Sequence, residues 1–356
     1  MHKLSFIVVA LLALVSCTSS QDYTTGNWKR LSDFNGKART DAAGFTIGTK
    51  GYLSGGYYGK EALLKDLWCF DMSDGAYGSW TQLADMPDGA IARQGATGFT
   101  VGTKGYIATG WDRAANDYLT DCWQYDPATD SWTRMDDFAG GKRRYALSFT
   151  IGDYGYAGFG YDDNYLKDIY RLDPTAASGS QWTIVSAFGG QKRMGGMAFV
   201  INDVAYICGG TNNNSDAYDF WKFDPSASDP WTRLRDITNT NSDKSYDDKY
   251  TTITRTFGCA FVIDGLGYVA TGQSASTTMR SDYWKYDPAK DLWYYKWDGD
   301  RLTTFGEGQK DTGGSARVHA VCFSTGSRGI ITTGGSGSSS YFDDTWELLP
   351  NEKVKK

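Results

Sequence analysis

The stretch NWKRLSDFNG, Asn27 to Gly36, reads as the end of a repeat placed at the front of a chain. SWTQLADMPDG (Ser79–Gly89) and SWTRMDDFAGG (Ser131–Gly141) have the same shape, but each follows a long segment that the first copy lacks. The missing partner stands near the other end, where DDTWELLP (Asp343–Pro350) belongs to a last repeat without a closing segment of its own. An outer strand without a blade and a blade without an outer strand predict a ring closed by pairing Trp28–Phe34 with Thr345–Leu349. That pairing removes the unpaired edge that a ring of sheets would otherwise expose.

Six segments share one pattern. Each opens with an arginine, at Arg39, Arg93, Arg144, Arg193, Arg255 and Arg317. Each reaches a glycine, at Gly56, Gly110, Gly160, Gly210, Gly272 and Gly334, 17 residues on in five segments and 16 in the third. An Asp and, two places later, an aromatic follow, from Asp66 and Trp68 to Asp344 and Trp346, and five segments add a second Trp at 80, 132, 182, 231 or 293. Within one segment, AGFTIGTKGYLSGG (Ala43–Gly56) reads as two short strands around a tight turn, and DLWCFD and SWTQL supply two more. Four antiparallel strands at a period of about 50 to 60 residues make a propeller blade, so an all-β, six-bladed ring is expected. Its aromatics are expected to form the layers between blades.

The pattern resembles the kelch repeat, with its glycine or Gly-Gly pair after the second strand, Tyr or Trp on the third and Trp on the outer strand. The resemblance covers Trp28–Leu349, with full pairs at Gly55-Gly56, Gly209-Gly210 and Gly334-Gly335. It implies a single six-bladed kelch-type propeller over residues 27–350, closed by an N-terminal outer strand. In size and export the chain is similar to sialic-acid mutarotase, which implies a sugar-acid isomerase as the enzymatic alternative to a binding or scaffold module. Galactose oxidase has similar blades, but its copper site needs two histidines and a cross-linked Tyr–Cys pair. Only His319 lies beyond the leader here, so no copper, other metal or cofactor is expected. The Ser-x-Asp-x-Gly-x-Thr-Trp boxes of sialidases are absent.

The leader reads as an export signal. A positive start, an apolar run over Leu4–Leu14 too short to span a bilayer comfortably, and small residues before Cys17 resemble a bacterial lipobox. The expected division is a signal peptide over residues 1–17 ending at a lipidated Cys17, a tether over 18–26, the propeller, and a polar tail over 351–356. That places an exported lipoprotein at the outer membrane, in the periplasm or on the cell surface, meeting the membrane only through its lipid. A net charge of −6 without a Lys/Arg run argues against nucleic acid. Five cysteines remain beyond Cys17, irregularly spaced and without CxxC; they read mostly as small buried apolar residues, with a disulfide among them open but not needed in a chain this large.

Candidate chemistry gathers on the face where the inner strands begin. The six arginines are expected to ring the channel mouth, with Trp111, Arg113, Tyr161, Asn212 and Arg280 among the variable residues around it. Asp41 and His319 each stand two places after their arginine in blades made neighbours by the clasp, and so can pair. They and Glu307 are the acid–base candidates. The distance from outer Trp to next Arg is 11 to 13 residues at four junctions but 24 before both Arg255 and Arg317, so two long polar insertions are expected to wall the mouth. Aromatics, amides and arginines together suit a sugar or anionic small molecule, with a protein as the other partner class.

Overall fold

The computed structural model describes residues 23–59, 62–238, 250, 252–297, 300–307, 314–337 and 339–355. The leader with Cys17, most of the insertion before Arg255, and residues 308–313 of the second insertion lie outside the described residues.

Inner strands form a closed circle. Ala43–Ile47, Thr97–Val101, Leu147–Ile151, Met197–Ile201, Cys259–Ile263 and Val321–Ser324 each touch the next, and the last touches the first. In each of blades one to five, three further antiparallel strands follow outward in chain order. Alternation explains why the inner strands sit this way. In Thr97–Val101 the buried residues Thr97, Phe99 and Val101 face neighbouring sheets, while Gly98 and Thr100 line the channel. The matching Phe45, Phe149, Phe199 and Phe261 are also buried, and each stacks on a tyrosine of its own second strand with ring planes 8–11° apart. Phe45, Phe99, Phe199 and Phe261 each also lie against a glycine of the next blade, whereas the residue at that place after Phe149 is Ala205. A Cβ at Gly105 would stand 2.0 Å from Phe45, and one at Gly155 2.2 Å from Phe99, so bare backbone is what lets adjacent blades meet.

Blade six is assembled from both ends of the chain. Val321–Ser324 and Gly329–Thr332 lead to Thr345–Lys355, which pairs antiparallel with Tyr23–Arg30. Trp28 faces Leu348 and Arg30 faces Trp346, as the sequence predicts for the clasp. The clasp is displaced from the expected Trp28–Phe34. Its strand stops at Arg30, Leu31 and Phe34 follow as loop residues whose N–H groups donate to Thr345 O and Asp343 O, and at its other end it starts earlier than expected. Beyond an irregularity at Gly26, Thr24 pairs with Val354 and Tyr23 with Lys355, so residues 23–26 are strand rather than tether and 351–355 are strand rather than a loose tail. The second insertion also departs from expectation. Its described part adds Asp300–Leu302 parallel to Thr24–Thr25, with Lys296–Trp297 outside it, giving blade six six strands. This segment covers the clasp from outside instead of walling the mouth, and Phe305 beyond it packs on Trp28 at 4.8 Å.

Candidate functional site

Five of the six predicted mouth arginines are inside the protein. Arg39, Arg93, Arg193, Arg255 and Arg317 are at most 1 % exposed, and so is Arg143, which holds the same place in blade three. Their surroundings repeat around the ring. Nε donates to the carbonyl two residues back in every blade, and Nη1 to the carbonyl 16 residues on at 2.9–3.2 Å, from Gly55 in blade one to Thr333 in blade six. The remaining donors meet the repeat aspartate, Asp66, Asp121, Asp168, Asp219, Asp282 or Asp344. In five blades that carboxylate also accepts the indole N–H two places on, at 2.6–3.0 Å. Burial alone would raise the carboxyl pKa values of Asp121 and Asp344. The guanidiniums of Arg93 and Arg317 and the indole N–H groups outweigh it, and both are held below the usual carboxylate range. The arginines therefore tie the second and third strands of each blade to its entry loop, and the expected ligand-binding ring of Arg39, Arg93, Arg193, Arg255 and Arg317 is corrected to a structural one.

This geometry also corrects the register. Arg143, not Arg144, is the repeat arginine of blade three, and it restores the 17-residue spacing to Gly160. In blade six the pair at the end of the second strand is Thr333-Gly334 rather than Gly334-Gly335, because Thr333 supplies the carbonyl and both residues have positive φ.

Two residues beyond each buried arginine the chain turns into the channel. Asp41, Gly95, Tyr145, Gly195, Phe257 and His319 all have φ between 54° and 64°. Four of them carry side chains that disfavour this conformation, by roughly 1 kcal/mol or more each. A closed backbone circuit holds them there: each N–H donates to the carbonyl of its counterpart in the preceding blade, at 2.7–3.2 Å all the way round. These six residues form the floor of a funnel, a cavity of about 120 Å³. Asp41 and His319 do meet, as expected from their register, with Oδ1 2.7 Å from Nδ1. That oxygen has no hydrogen-bond donor aligned on it. His319 stacks on Phe257 at 3.9 Å and lies 5.3 Å from Tyr145. Burial first, and then the Asp41 charge, push the Tyr145 phenol up. Gln94 is 7 % exposed and its Oε1 has no partner.

Arg144 stands one residue after the buried column, at the rim of this funnel. Its guanidinium lies over Trp111 at 4.5 Å, Tyr145 at 5.1 Å, Tyr118 at 5.7 Å and Tyr161 at 5.8 Å. It makes no ion pair with a described carboxylate, and its buried Nε has no hydrogen-bond partner. The structure thus joins Arg144, Trp111 and Tyr161 of the predicted set into one cage, and adds Tyr118, Tyr145 and Gln94, which the sequence reading missed. Tyr145 and Gln94 occupy two adjacent repeat columns whose residues change from blade to blade, Asp41, Gly95, Tyr145, Gly195, Phe257 and His319 in one and Thr40, Gln94, Arg144, Met194, Thr256 and Val318 in the other, and that variability was the available signal. The other candidates lie apart from the cage. Arg113 covers Tyr57 at 4.8 Å in blade one, Asn212 begins a two-residue hairpin with Ser215, and Arg280 lines a separate cavity of about 490 Å³ beside Tyr283. Glu307 is occupied. Its oxygens accept the Thr304 N–H at 2.6 Å and Arg301 at 3.0 Å, which outweigh burial and keep its pKa low, so it is not a free acid–base group.

Among the described residues no cluster of three or more His, Cys, Asp or Glu is placed to hold a metal ion. The sequence profile of the kelch motif matches residues 92–138, which begin at the entry to blade two and run through its outer strand. No curated protein matches the chain. The solved structure of YjhT, a kelch-type propeller, is similar in fold, with a TM-score of 0.68 at 14 % identity, covering 92 % of this chain and 99 % of that chain. One matching motif, six blades in a common register and this shared architecture identify the chain as a six-bladed kelch-type β-propeller.

Proposed function

We propose that this propeller is an exported, lipid-anchored binding module that takes an anionic, sugar-like ligand at its channel mouth. A kelch-type propeller is in general a binding or scaffold module, and the observation that gives this one a ligand class is Arg144. A guanidinium without a carboxylate partner, half-buried among four aromatic rings, is arranged to accept a carboxylate from outside. The rings offer stacking faces for a sugar, and the unpartnered Gln94 Oε1 can accept from a hydroxyl below. A protein partner presenting an Asp or Glu side chain would use the same guanidinium. The test is a thermal-shift screen of acidic and neutral sugars against the wild type and Arg144→Ala. Losing one charge-assisted bond of about 1.5–3 kcal/mol predicts roughly 10- to 100-fold weaker binding of acidic ligands, and neutral ligands little changed. Equal affinity in the variant would remove Arg144 from the site.

A second reading, a sugar-acid mutarotase, is favoured by the Asp41–His319 contact beside Tyr145 on the funnel floor. Anomer exchange needs one group to take the proton of the anomeric hydroxyl and another to protonate the ring oxygen, and a carboxylate–imidazole pair supplies both. Exchange measured by NMR on sialic and uronic acids should then exceed the buffer rate and fall at least 100-fold in His319→Gln. A rate equal to buffer leaves the module as a binder only.

A further inference from the structure

Cys259 is the first residue of the inner strand of blade five, and Cys322 the second residue of the inner strand of blade six. The repeat sets these two positions against each other where blades meet. Between blades two and three they are Thr97 and Ser148, whose hydroxyls hydrogen-bond at 2.6 Å. Ser148 Oγ also donates to Gly98 O at 2.8 Å, and Cys322 Sγ donates to the matching Ala260 O at 3.2 Å, so the sulfur stands where that hydroxyl stands. Cys259 Sγ reaches back across the interface toward Ala320 O at 3.7 Å, so each thiol is directed at the backbone of the other's blade. At the other interfaces the matching pairs, such as Ala43 with Gly98 and Leu147 with Ala198, carry no comparable chemistry. Cys69, Cys122 and Cys208 sit on second and third strands of separate blades.

We propose that Cys259 and Cys322 form a disulfide that staples the inner strand of blade five to that of blade six. Cys322 lines the central channel, a cavity of about 370 Å³, whereas Cys259 is 1 % exposed, so an oxidant meets Cys322 first. The Cys322 thiolate attacks a small disulfide such as oxidised glutathione. That S–S bond breaks, one glutathione thiolate leaves, and a mixed disulfide forms. Cys259 then gives up its proton and attacks the Cys322 sulfur, expelling the second glutathione thiolate. Two protein thiols are oxidised, one disulfide is reduced, and the two protons end on the departing thiolates. The closeness of the thiols supports this order, because the neighbouring Cys259 thiol lowers the pKa of Cys322 and the Cys322 thiol raises that of Cys259. Blade six alone is built from both ends of the chain, so the staple would secure on the channel side what the clasp secures at the rim. The oxidising surroundings come from the export part of the proposed function, on which this inference rests for its setting.

The test uses the purified full chain equilibrated in glutathione redox buffers, digested without reduction and mapped by mass spectrometry. The expected result is one linked peptide pair containing Cys259 and Cys322, a Tm roughly 5 °C above that of the reduced protein, and a single glutathione adduct held on Cys322 in Cys259→Ser. Both cysteines remaining alkylatable after oxidation, Cys322 linked to any other cysteine, or no rise in Tm overturns the staple. Protein recovered from the host membrane fraction is mapped in the same way. There the mass of the N-terminal peptide reports the lipid on Cys17, which separates a failure of export from a pair that does not close.

Discussion

Deleting Tyr23–Phe34 abolishes the cooperative melting transition of the propeller. The segment buries Trp28, Leu31 and Phe34 at 0 %, 4 % and 3 % exposure, and it bridges Thr345–Lys355 on one side to Asp300–Leu302 on the other. Each large side chain of this kind contributes about 1.5–3 kcal/mol by burial, and the deletion also strips Leu348 and Trp346 of cover. Such losses add up to much of the 5–15 kcal/mol that typically holds a folded domain together. A milder version isolates the central contact: Trp28→Ala should lose about 3–5 kcal/mol, since its ring fills the space between Tyr283 and Phe305. Far-UV circular dichroism melts beside the intact chain decide the matter. An unchanged midpoint in the deletion would mean that the ring closes by another route.

The second large effect concerns the buried guanidiniums. Asp219→Ala leaves Arg193 with a buried charge facing no carboxylate, and removing one partner of such a pair destabilises by about 3–5 kcal/mol. Asp33→Ala breaks the exposed pair with Arg30 and should change stability by less than about 1 kcal/mol. Urea titrations of both variants provide the comparison, and near-equal losses would sink the structural reading of the column. The same carboxylates set an acid limit. Asp121 and Asp344 have folded-state pKa values below the unfolded value of about 3.9, so their contribution is fully present above that pH. It is lost as pH falls through the lower folded values, and stability should drop below about pH 4.

The clasp was legible because a ring cannot leave one blade a strand short, and Trp28 and Trp346 marked the two halves. Asp41 and His319 were legible for a related reason: equal repeat positions in adjacent blades must come close. The arginines were misread although the answer was present. Six arginines, six repeat aspartates and a constant 17-residue spacing describe charges that can neutralise one another in the interior, which six arginines facing solvent would not need. Choosing Arg144 over Arg143 broke that spacing by one residue. It also hid the arginine that stands outside the column, because a one-residue shift moves a side chain to the other face. The added strand Asp300–Leu302 could not be read, since its partner Thr24–Thr25 is remote in sequence and no local pattern announces a parallel pair. The aromatic cage escaped for the same reason: Trp111, Tyr118, Arg144 and Tyr161 belong to two blades and meet only when the ring has formed.

Tyr23 pairs with Lys355, so the two ends of the described chain leave the molecule from one point on its rim, a blade's width from the axis. Whatever is attached at either end, a lipid anchor, a reporter or a fused domain, departs from that point and leaves the funnel uncovered. The same neighbourhood makes the seam movable. A short linker joining residues 355 and 23, with new ends cut between two other blades, keeps every strand pair of blade six within one continuous segment and passes the task of closure to a different blade.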